Sequence, residues 1–310
     1  MKKVLLLSTI LGVLLCIACN RMNADVAHKN HEKSEETIKK SSKTLSEEFK
    51  KYWYAGHAEI TSYALEQVRY GEIRKGTAAL IYVTEDFLPN EQVKADNSNP
   101  KNIPVLKLNA TKKFNTGIYP YSIMQSTFYP VSDNQHAIKV SSSIQEWCGH
   151  IYAQLNNRDK FDITAHSYFQ NEADQNFSLD KAILENELWT KIRIDPDHLP
   201  TGNLAIIPSF EYSRLKHKEI KSYTAKASIN KNGTTTSYFL EYPELKRNVT
   251  ITFNTSFPHE IESWTESFKS GSGPTAKELV TKATKIKRIK SAYWNKNSNN
   301  DSTLREDLGL

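Results

Sequence analysis

Alternation of apolar and polar side chains with a period of two is the feature that most constrains this chain. It is clearest in Lys221–Tyr242, where Tyr, Ala and Ile alternate with Thr, Lys and Ser around Asn232-Gly233. Successive side chains of a strand point to opposite faces of a sheet, and Asn-Gly favours a two-residue hairpin turn. With that turn, Ala227 faces Tyr238. The segment therefore predicts an antiparallel hairpin with one apolar and one polar face.

The same pattern predicts strands along most of the chain. In Arg247–Thr255, apolar Val249, Ile251 and Phe253 alternate with polar residues. Other segments rich in Thr, Tyr, Ile and Val are also predicted as strands: Ala58–Arg69, Ala78–Thr84, Val105–Asn109, Ser122–Tyr129, Ala137–Glu146, His150–Asn156, Phe161–Phe169 and Leu204–Tyr212.

Two helices are predicted beside the strands. The segment Thr44-Leu45-Ser46-Glu47 fits a capping box that opens a short helix towards Tyr52. A second helix is predicted over 179–192, because its apolar residues fall on one stripe and Asp195-Pro196 ends it.

The predicted fold class is mainly β, an antiparallel meander that forms a curved sheet or an open barrel. The β-rich body covers 44–292, in two portions at 54–170 and 203–292, and a C-terminal tail follows at 293–310. A chain of 310 residues with a mean hydropathy of −0.58 is long enough to build a core and too polar for a helical channel.

The N-terminus predicts export. Lys2 and Lys3 precede an apolar segment, Val4–Ala18, that is short for a membrane span and suits a signal peptide. Cys19 follows the small Ala18, which resembles the lipobox of bacterial lipoproteins. In that family the signal peptide is removed before the cysteine, whose sulfur then carries a diacylglyceryl group. The alternative is an ordinary cleaved signal peptide with a coincidental cysteine.

This resemblance implies that residues 1–18 are a lipoprotein signal peptide and that Cys19 is the lipidation site. Residues 19–43 are polar and charged, so they are predicted to form a disordered tether between the anchor and the body. The predicted location is the cell envelope, on the outer membrane facing the periplasm. The membrane is then a partner through the lipid anchor.

The segment Gln145–His150 holds the most reactive side chains. On a continuous strand Trp147 lies on the apolar face, while Glu146, Cys148 and His150 share the polar face. A turn centred on Arg158 sets His166 opposite His150, and a change in apolar parity predicts a bulge before Trp147.

Three interpretations of this cluster remain open. Cys148 could act as a nucleophile with His150 as its base and Glu146 nearby. His150 and His166 could contribute to a metal site with Glu146 or Cys148 as a third ligand. The third interpretation is polar packing with no catalytic role.

The stretch from Ala276 to Lys296 is strongly basic. A last, basic strand is predicted there, with an amphipathic helix as the alternative; its uncharged residues would be Thr284, Ile286, Ile289, Tyr293 and Trp294. Such a run forms a solvated face or a protected sheet edge, or it binds anionic lipid or glycan. The residues predicted for anionic-surface binding are Lys282, Lys285, Lys287, Arg288 and Lys290.

No cofactor is predicted, because the phosphate-binding loop, dinucleotide, metalloprotease and serine-hydrolase motifs are all missing from the sequence. The net charge of +6 is modest for this length, and no nucleic-acid recognition motif is present, so nucleic acid is not expected as a partner.

Several segments resemble an uncharacterised group of lipoproteins from the Bacteroidota. They are Tyr52–Ile60, Thr84–Pro89, Gln145–His150, Asn186–Trp189 and Ile289–Trp294. Members of that group often carry the name "septum formation inhibitor Maf". Maf nucleotide pyrophosphatases have a Ser-Pro-Arg-Arg motif that this chain lacks, so the resemblance implies no catalytic residues.

The function expected from the sequence is that of a lipid-anchored binding or structural module of the envelope. The expected ligand is a lipid or another apolar molecule, and glycans or envelope proteins are further candidate partners. The alternative is a hydrolase or metal-dependent enzyme that uses Glu146, Cys148 and His150.

Overall fold

The computed structural model describes residues 45–132, 135–271 and 273–310. The predicted signal peptide, Cys19 and the tether at 19–43 lie outside the described residues. Within them, no helix has the length and apolar character that a bilayer crossing requires.

Fifteen strands and four α-helices form the described body. The strands are β1 (Ala58–Arg69), β2 (Glu72–Phe87), β3 (Ile103–Thr116), β4 (Tyr119–Pro130), β5 (Lys139–Glu146), β6 (Gly149–Asn157), β7 (Phe161–His166), β8 (Gln175–Leu179), β9 (Ile183–Leu184), β10 (Gly202–Ile207), β11 (Tyr223–Asn232), β12 (Thr235–Tyr242), β13 (Arg247–Asn254), β14 (Ile261–Ser270) and β15 (Lys277–Ser291). The helices are α1 (Glu47–Trp53), α2 (Glu185–Ile194), α3 (Phe210–Leu215) and α4 (Thr303–Leu308).

All strands belong to one sheet, in the order β8-β7-β6-β5-β4-β3-β2-β1-β15-β14-β13-β12-β11-β10-β9. Neighbouring strands are antiparallel except β9 and β10, which are parallel. The first and last strands of the chain are neighbours in the middle, and each half meanders outward to an open edge. The prediction of a mainly β, antiparallel meander is therefore confirmed, and the portions 54–170 and 203–292 contribute to the same sheet.

One face of the sheet, called here the inner face, packs against α1, α2 and α3. Its core joins Tyr82 of β2 and Leu240 of β12 to Trp53 of α1 and Leu188 of α2. The opposite face is called the outer face.

The sheet is curved, because its two ends share one cluster of buried side chains. Phe161 and Ile163 of β7 pack in the same cluster as Ile207 of β10 and Phe210 of α3. In the strand order, β7 and β10 lie near opposite ends.

The predicted helix over 179–192 is wrong at its start. Residues up to Leu179 form β8, and Ile183–Leu184 form β9 beside Ile206–Ile207. The helix begins at Glu185, where the Glu187 carboxylate accepts the Leu184 N–H at 3.4 Å. Ile183 and Leu184 are a short apolar pair. In sequence, such a pair looks the same whether it joins the edge of a sheet or begins a helix.

The strand predicted over Leu204–Tyr212 is too long. It ends at Ile207 because Pro208 lacks an N–H to donate to the ladder. Ser209 then caps α3, since its Oγ accepts the Tyr212 N–H at 3.2 Å. The short N-terminal helix is present, but its cap is Ser46, whose Oγ accepts the Phe49 N–H at 3.1 Å.

The hairpin of β11 and β12 has the predicted faces and a shifted register. The turn residues are Gly233 and Thr234, so Ala227 pairs with Leu240 instead of Tyr238. A shift of two residues keeps side-chain parity, and the apolar positions therefore stay on the inner face.

Candidate ligand-binding groove

The predicted strand through Trp147 is a hairpin turn. Glu146 pairs with Gly149, so Trp147 and Cys148 are the two turn residues between β5 and β6. Trp147 is 68% exposed rather than part of the core. The turn, and not a bulge, causes the change in apolar parity.

Cys148 lies on this turn with an exposed thiol. Its backbone N–H donates to Glu146 Oε2 at 2.8 Å. A hydrogen bond to the Glu146 carboxylate, together with its negative charge, raises the pKa of the Cys148 thiol. A raised pKa disfavours the thiolate, which is the nucleophilic form. The surroundings of Cys148 therefore work against nucleophilic catalysis.

The two histidines do not face each other. His166 pairs with Tyr152, and His150 pairs with Gln145 on the other neighbouring strand. His166 Nδ1 instead lies 3.3 Å from Asp174 Oδ1 at an exposed site. Within the three described ranges, no group of three or more His, Cys, Asp or Glu side chains is arranged to hold a metal ion.

The basic C-terminal stretch is a strand, β15, as predicted. It is not a sheet edge, because it lies between β1 and β14. The five predicted cations stand at both odd and even positions, so an extended strand divides them between its two faces. A register shift opposite Ser62/Tyr63 sets which of them point inward.

Three of these cations face the inner side and have partners. Lys285 Nζ lies 2.6 Å from Glu262 Oε1, Arg288 Nη1 lies 3.2 Å from Glu260 Oε2, and Lys290 Nζ lies 3.6 Å from the Tyr52 ring centre. Lys282 and Lys287 point outward and are exposed. The five residues do not form one anionic-surface site.

The space between the inner face and the helices holds a small cavity bordered by charged and apolar side chains. A cavity of about 60 Å³ there is bordered by Glu185, Glu211 and Arg247 as well as Trp189 and Trp264. It has room for a few water molecules. Burial raises the pKa of Glu211, although Lys112 Nζ lies 2.6 Å from Glu211 Oε1 and opposes the shift. This cavity is too small for an apolar ligand of the expected kind.

A larger groove of about 650 Å³ lies on the outer face. Its lining includes apolar side chains of β1, β2, β4, β15 and residues 293–310: Ile60, Ala79, Ile81, Met124, Ile289, Tyr293, Leu304, Leu308 and Leu310. Thr111 of β3 lies between Ala79 and Met124 in the strand register and also lines the groove.

The C-terminal residues form one wall of this groove. After β15 the chain makes short 3-10 turns at Tyr293–Asn295 and Asn299–Ser302 and continues into α4. Leu308 of α4 is buried against Ala58, Ile60 and Val83. Gly309, with φ +67°, ends the helix in the left-handed region that glycine adopts readily. Residues 293–310, expected only as a tail, therefore pack on the sheet.

A second opening of about 650 Å³ lies between the two ends of the sheet. Its wall carries a hydrogen bond between His217 Nδ1 and Glu172 Oε1, which lie 2.6 Å apart. Arg214 stacks over Phe169 there, with its guanidinium carbon 4.0 Å from the ring centre. These charged contacts make it less suited to an apolar ligand than the outer groove.

Comparisons with known proteins identify no family. No protein-family model matches the chain, and no curated protein shows significant similarity to it. One solved structure, a porin-like protein from Bacteroides uniformis, is 10% identical over 74% of this chain and 96% of that protein, with a TM-score of 0.22. A similarity of this size carries no argument about function.

Proposed function

We propose that this chain is a lipid-anchored envelope protein that binds an apolar ligand in the outer groove. The anchor is the acylated Cys19, the location is the periplasmic side of the outer membrane, and the chain belongs with the Bacteroidota lipoproteins that it resembles. Binding rather than catalysis is favoured because the Glu146 carboxylate raises the pKa of the Cys148 thiol and so disfavours the nucleophilic thiolate, and because the groove offers a site of suitable size.

The observation that carries this proposal is the apolar lining on a face that should be polar. A sheet with one buried face normally presents polar side chains on the other. The outward positions of β6 and β7 follow this rule with Gln154, Asn156 and Thr164. Around the groove, Ile60, Ile81 and Met124 point outward instead. Leu308 of α4 buries Ile60, whereas Ile81 is half-buried and Met124 is 41% exposed.

The size of the groove fits a small ligand. Binding sites for small molecules are typically about 300–1,000 Å³ and mostly apolar. A ligand that buries about ten methylene groups, at about 0.8 kcal/mol each, would bind no tighter than about the micromolar range, because the lost freedom of motion opposes binding.

Filling the groove is expected to abolish this binding. The probe is N-phenyl-1-naphthylamine, a neutral apolar fluorophore, added to the chain from residue 19 onward with Cys19→Ser so that no acyl chain competes. Thr111→Trp places an indole on the groove floor and should weaken probe binding by about tenfold or more, which corresponds to about 1.4 kcal/mol.

The matched control is Thr250→Trp. Thr250 is also a half-buried, outward-facing threonine in the middle of a strand, between Phe239 and Thr265, and it does not line the groove. The control should bind the probe within about twofold of the parent. Equal affinity in both variants, with unchanged thermal unfolding, would contradict the proposed site.

Lipid anchoring predicts a separate result. In the full-length chain, Cys19→Ser should remove incorporation of labelled palmitate, because Cys19 is the proposed acylation site. Cys148→Ser is the matched control: Cys148 is exposed on a hairpin turn, and its loss should leave the labelling unchanged. Palmitate labelling that survives Cys19→Ser would contradict the anchor.

A further inference from the structure

The groove has a charged rim as well as an apolar floor. Lys113 of β3, Lys296 after the Tyr293–Asn295 turn and Arg305 of α4 line it, against a single acidic side chain, Asp301. The lining side chains therefore have an excess of positive charge. This excess is a property of the groove and is separate from the cations of β15.

The acidic side chain is already engaged. Asp301 Oδ2 accepts the Ser298 N–H at 3.1 Å and the Ser298 hydroxyl at 2.9 Å, and these hydrogen bonds lower the pKa of Asp301. Lys296 Nζ lies 3.9 Å from Asp301 Oδ1. Asp301 thus caps the turn before α4 and is paired with one of the three cations.

The other two cations remain without an acidic partner in the described part of the chain. Neither Lys113 nor Arg305 lies within 4.0 Å of a described carboxylate, and both are exposed. Long basic side chains keep their charge in water while their stems lie along apolar surface. They can therefore meet a charged group at the end of an apolar ligand.

From this arrangement we infer that the ligand of the groove is an anionic amphiphile, with a hydrocarbon part on the floor formed by Ile81 and Met124 and a carboxylate or phosphate beside Lys113 and Arg305. The inference rests on the proposed function and names the chemical class of its ligand. Arg305 can hold such a group with two parallel N–H donors, and Lys113 adds a point charge.

The test compares ligands that differ only in the head group. Decanol, decanoate and decyl phosphate, each below its micelle concentration, are titrated against bound N-phenyl-1-naphthylamine. Decanoate and decyl phosphate should displace the probe at about threefold to tenfold lower concentration than decanol, because two exposed ion pairs add modest affinity. Raising the ionic strength should reduce this ratio.

Charge removal assigns the preference to the rim. Lys113→Gln/Arg305→Gln should bring the ratio of anionic to neutral affinity close to one, and Lys113→Gln alone should lower it part of the way. Arg305 lies in α4, and its replacement could disturb that helix. Lys113 lies on β3, so Lys113→Gln alone tests the rim charge without changing α4. Lys282→Gln/Lys287→Gln removes the same charge from outward positions outside the groove and should keep the parent ratio.

The outcomes separate the two proposals. Displacement by all three ligands at equal concentration would overturn the anionic ligand and leave the apolar site standing. An equal loss of preference in the Lys282/Lys287 control would also overturn it, because net charge would then be the cause. Displacement by none of the three ligands would overturn the proposed function itself.

Inorganic phosphate and acetate should not displace the probe, because they lack the hydrocarbon part; displacement by either would count against an amphiphile.

Discussion

Arg247→Met is expected to lower the free energy of unfolding by about 3–5 kcal/mol, because it leaves buried carboxylates without their cation. Arg247 is 2% exposed. Its Nη1 and Nη2 donate to the two Glu185 oxygens at 2.5 and 2.7 Å, and its Nε donates to Glu266 Oε1 at 2.6 Å. Urea unfolding followed by circular dichroism at pH 7 measures the loss.

The control for this variant is Lys160→Met. Lys160 also forms an ion pair, with its Nζ 2.9 Å from Asp180 Oδ1, but both side chains are exposed. An exposed pair contributes about 0–1 kcal/mol, so this variant should stay near the parent. A loss below about 1 kcal/mol in Arg247→Met would show that the carboxylates find other compensation.

The loss in Arg247→Met should shrink on acidification. Burial alone raises the pKa of Glu185, but the Arg247 guanidinium and its hydrogen bonds bring it below the ordinary value of 4.5. In the parent, the contribution of Glu185 to stability is therefore present above pH 4.5 and lost as the pH falls through the lower folded pKa. Without Arg247, burial raises the pKa of Glu185, so the variant gains stability when this carboxyl is protonated. Unfolding curves at pH 7 and pH 4 measure the difference between the two proteins.

Strand positions were predictable because alternation is a local property. β1 matches its predicted limits, and β13 keeps Val249, Ile251 and Phe253 on the inner face. The predicted faces of the β11–β12 hairpin are correct although the predicted register is wrong, because the register differs by two residues and an even shift keeps each side chain on its face. At Trp147 the same reasoning is wrong. Trp147 and Cys148 form a turn without the residues usual in turns, so the alternation on either side of them predicts one continuous strand.

The groove could not be predicted because it depends on contacts between distant segments. The groove brings together side chains from three strands, Ile60, Ile81 and Met124, and side chains from residues 293–310. That placement requires the pairing of β1 with β15, which joins the two ends of the body. The available local signal was the spacing of Leu304 and Leu308, four residues apart in a polar tail, which is the spacing of one helix face.

The predicted anionic surface failed because its cations stand at both odd and even positions. Successive side chains of a strand point to opposite faces, so no extended strand presents all five cations on one face. The register shift between Lys285 and Lys287 changes the grouping: it places Arg288 on the same inner face as Lys285, while Lys287 points outward. That shift depends on pairing with the neighbouring strand, and a single basic segment does not reveal it.

Arg193→Met is expected to cost about 3–5 kcal/mol of unfolding free energy, for the same physical reason at the other end of α2. Arg193 is 1% exposed and Glu59 is fully buried. Arg193 Nη1 and Nη2 donate to the Glu59 oxygens at 2.6 and 2.8 Å, and the Tyr52 hydroxyl donates to the same carboxylate. The guanidinium carbon also lies 4.7 Å from the Tyr82 ring centre, which adds a cation–π contact.

Two further variants separate the lost charge from the lost packing. Arg193→Lys keeps the charge but not the two parallel hydrogen bonds, so its loss should be smaller than that of Arg193→Met and still measurable by urea unfolding. Glu59→Gln/Arg193→Met removes both charges and should recover part of the stability lost in Arg193→Met, because no buried carboxylate remains unpaired. A double variant less stable than Arg193→Met would contradict this explanation and would place the main effect in the packing of Arg193 against Trp53 and Tyr82.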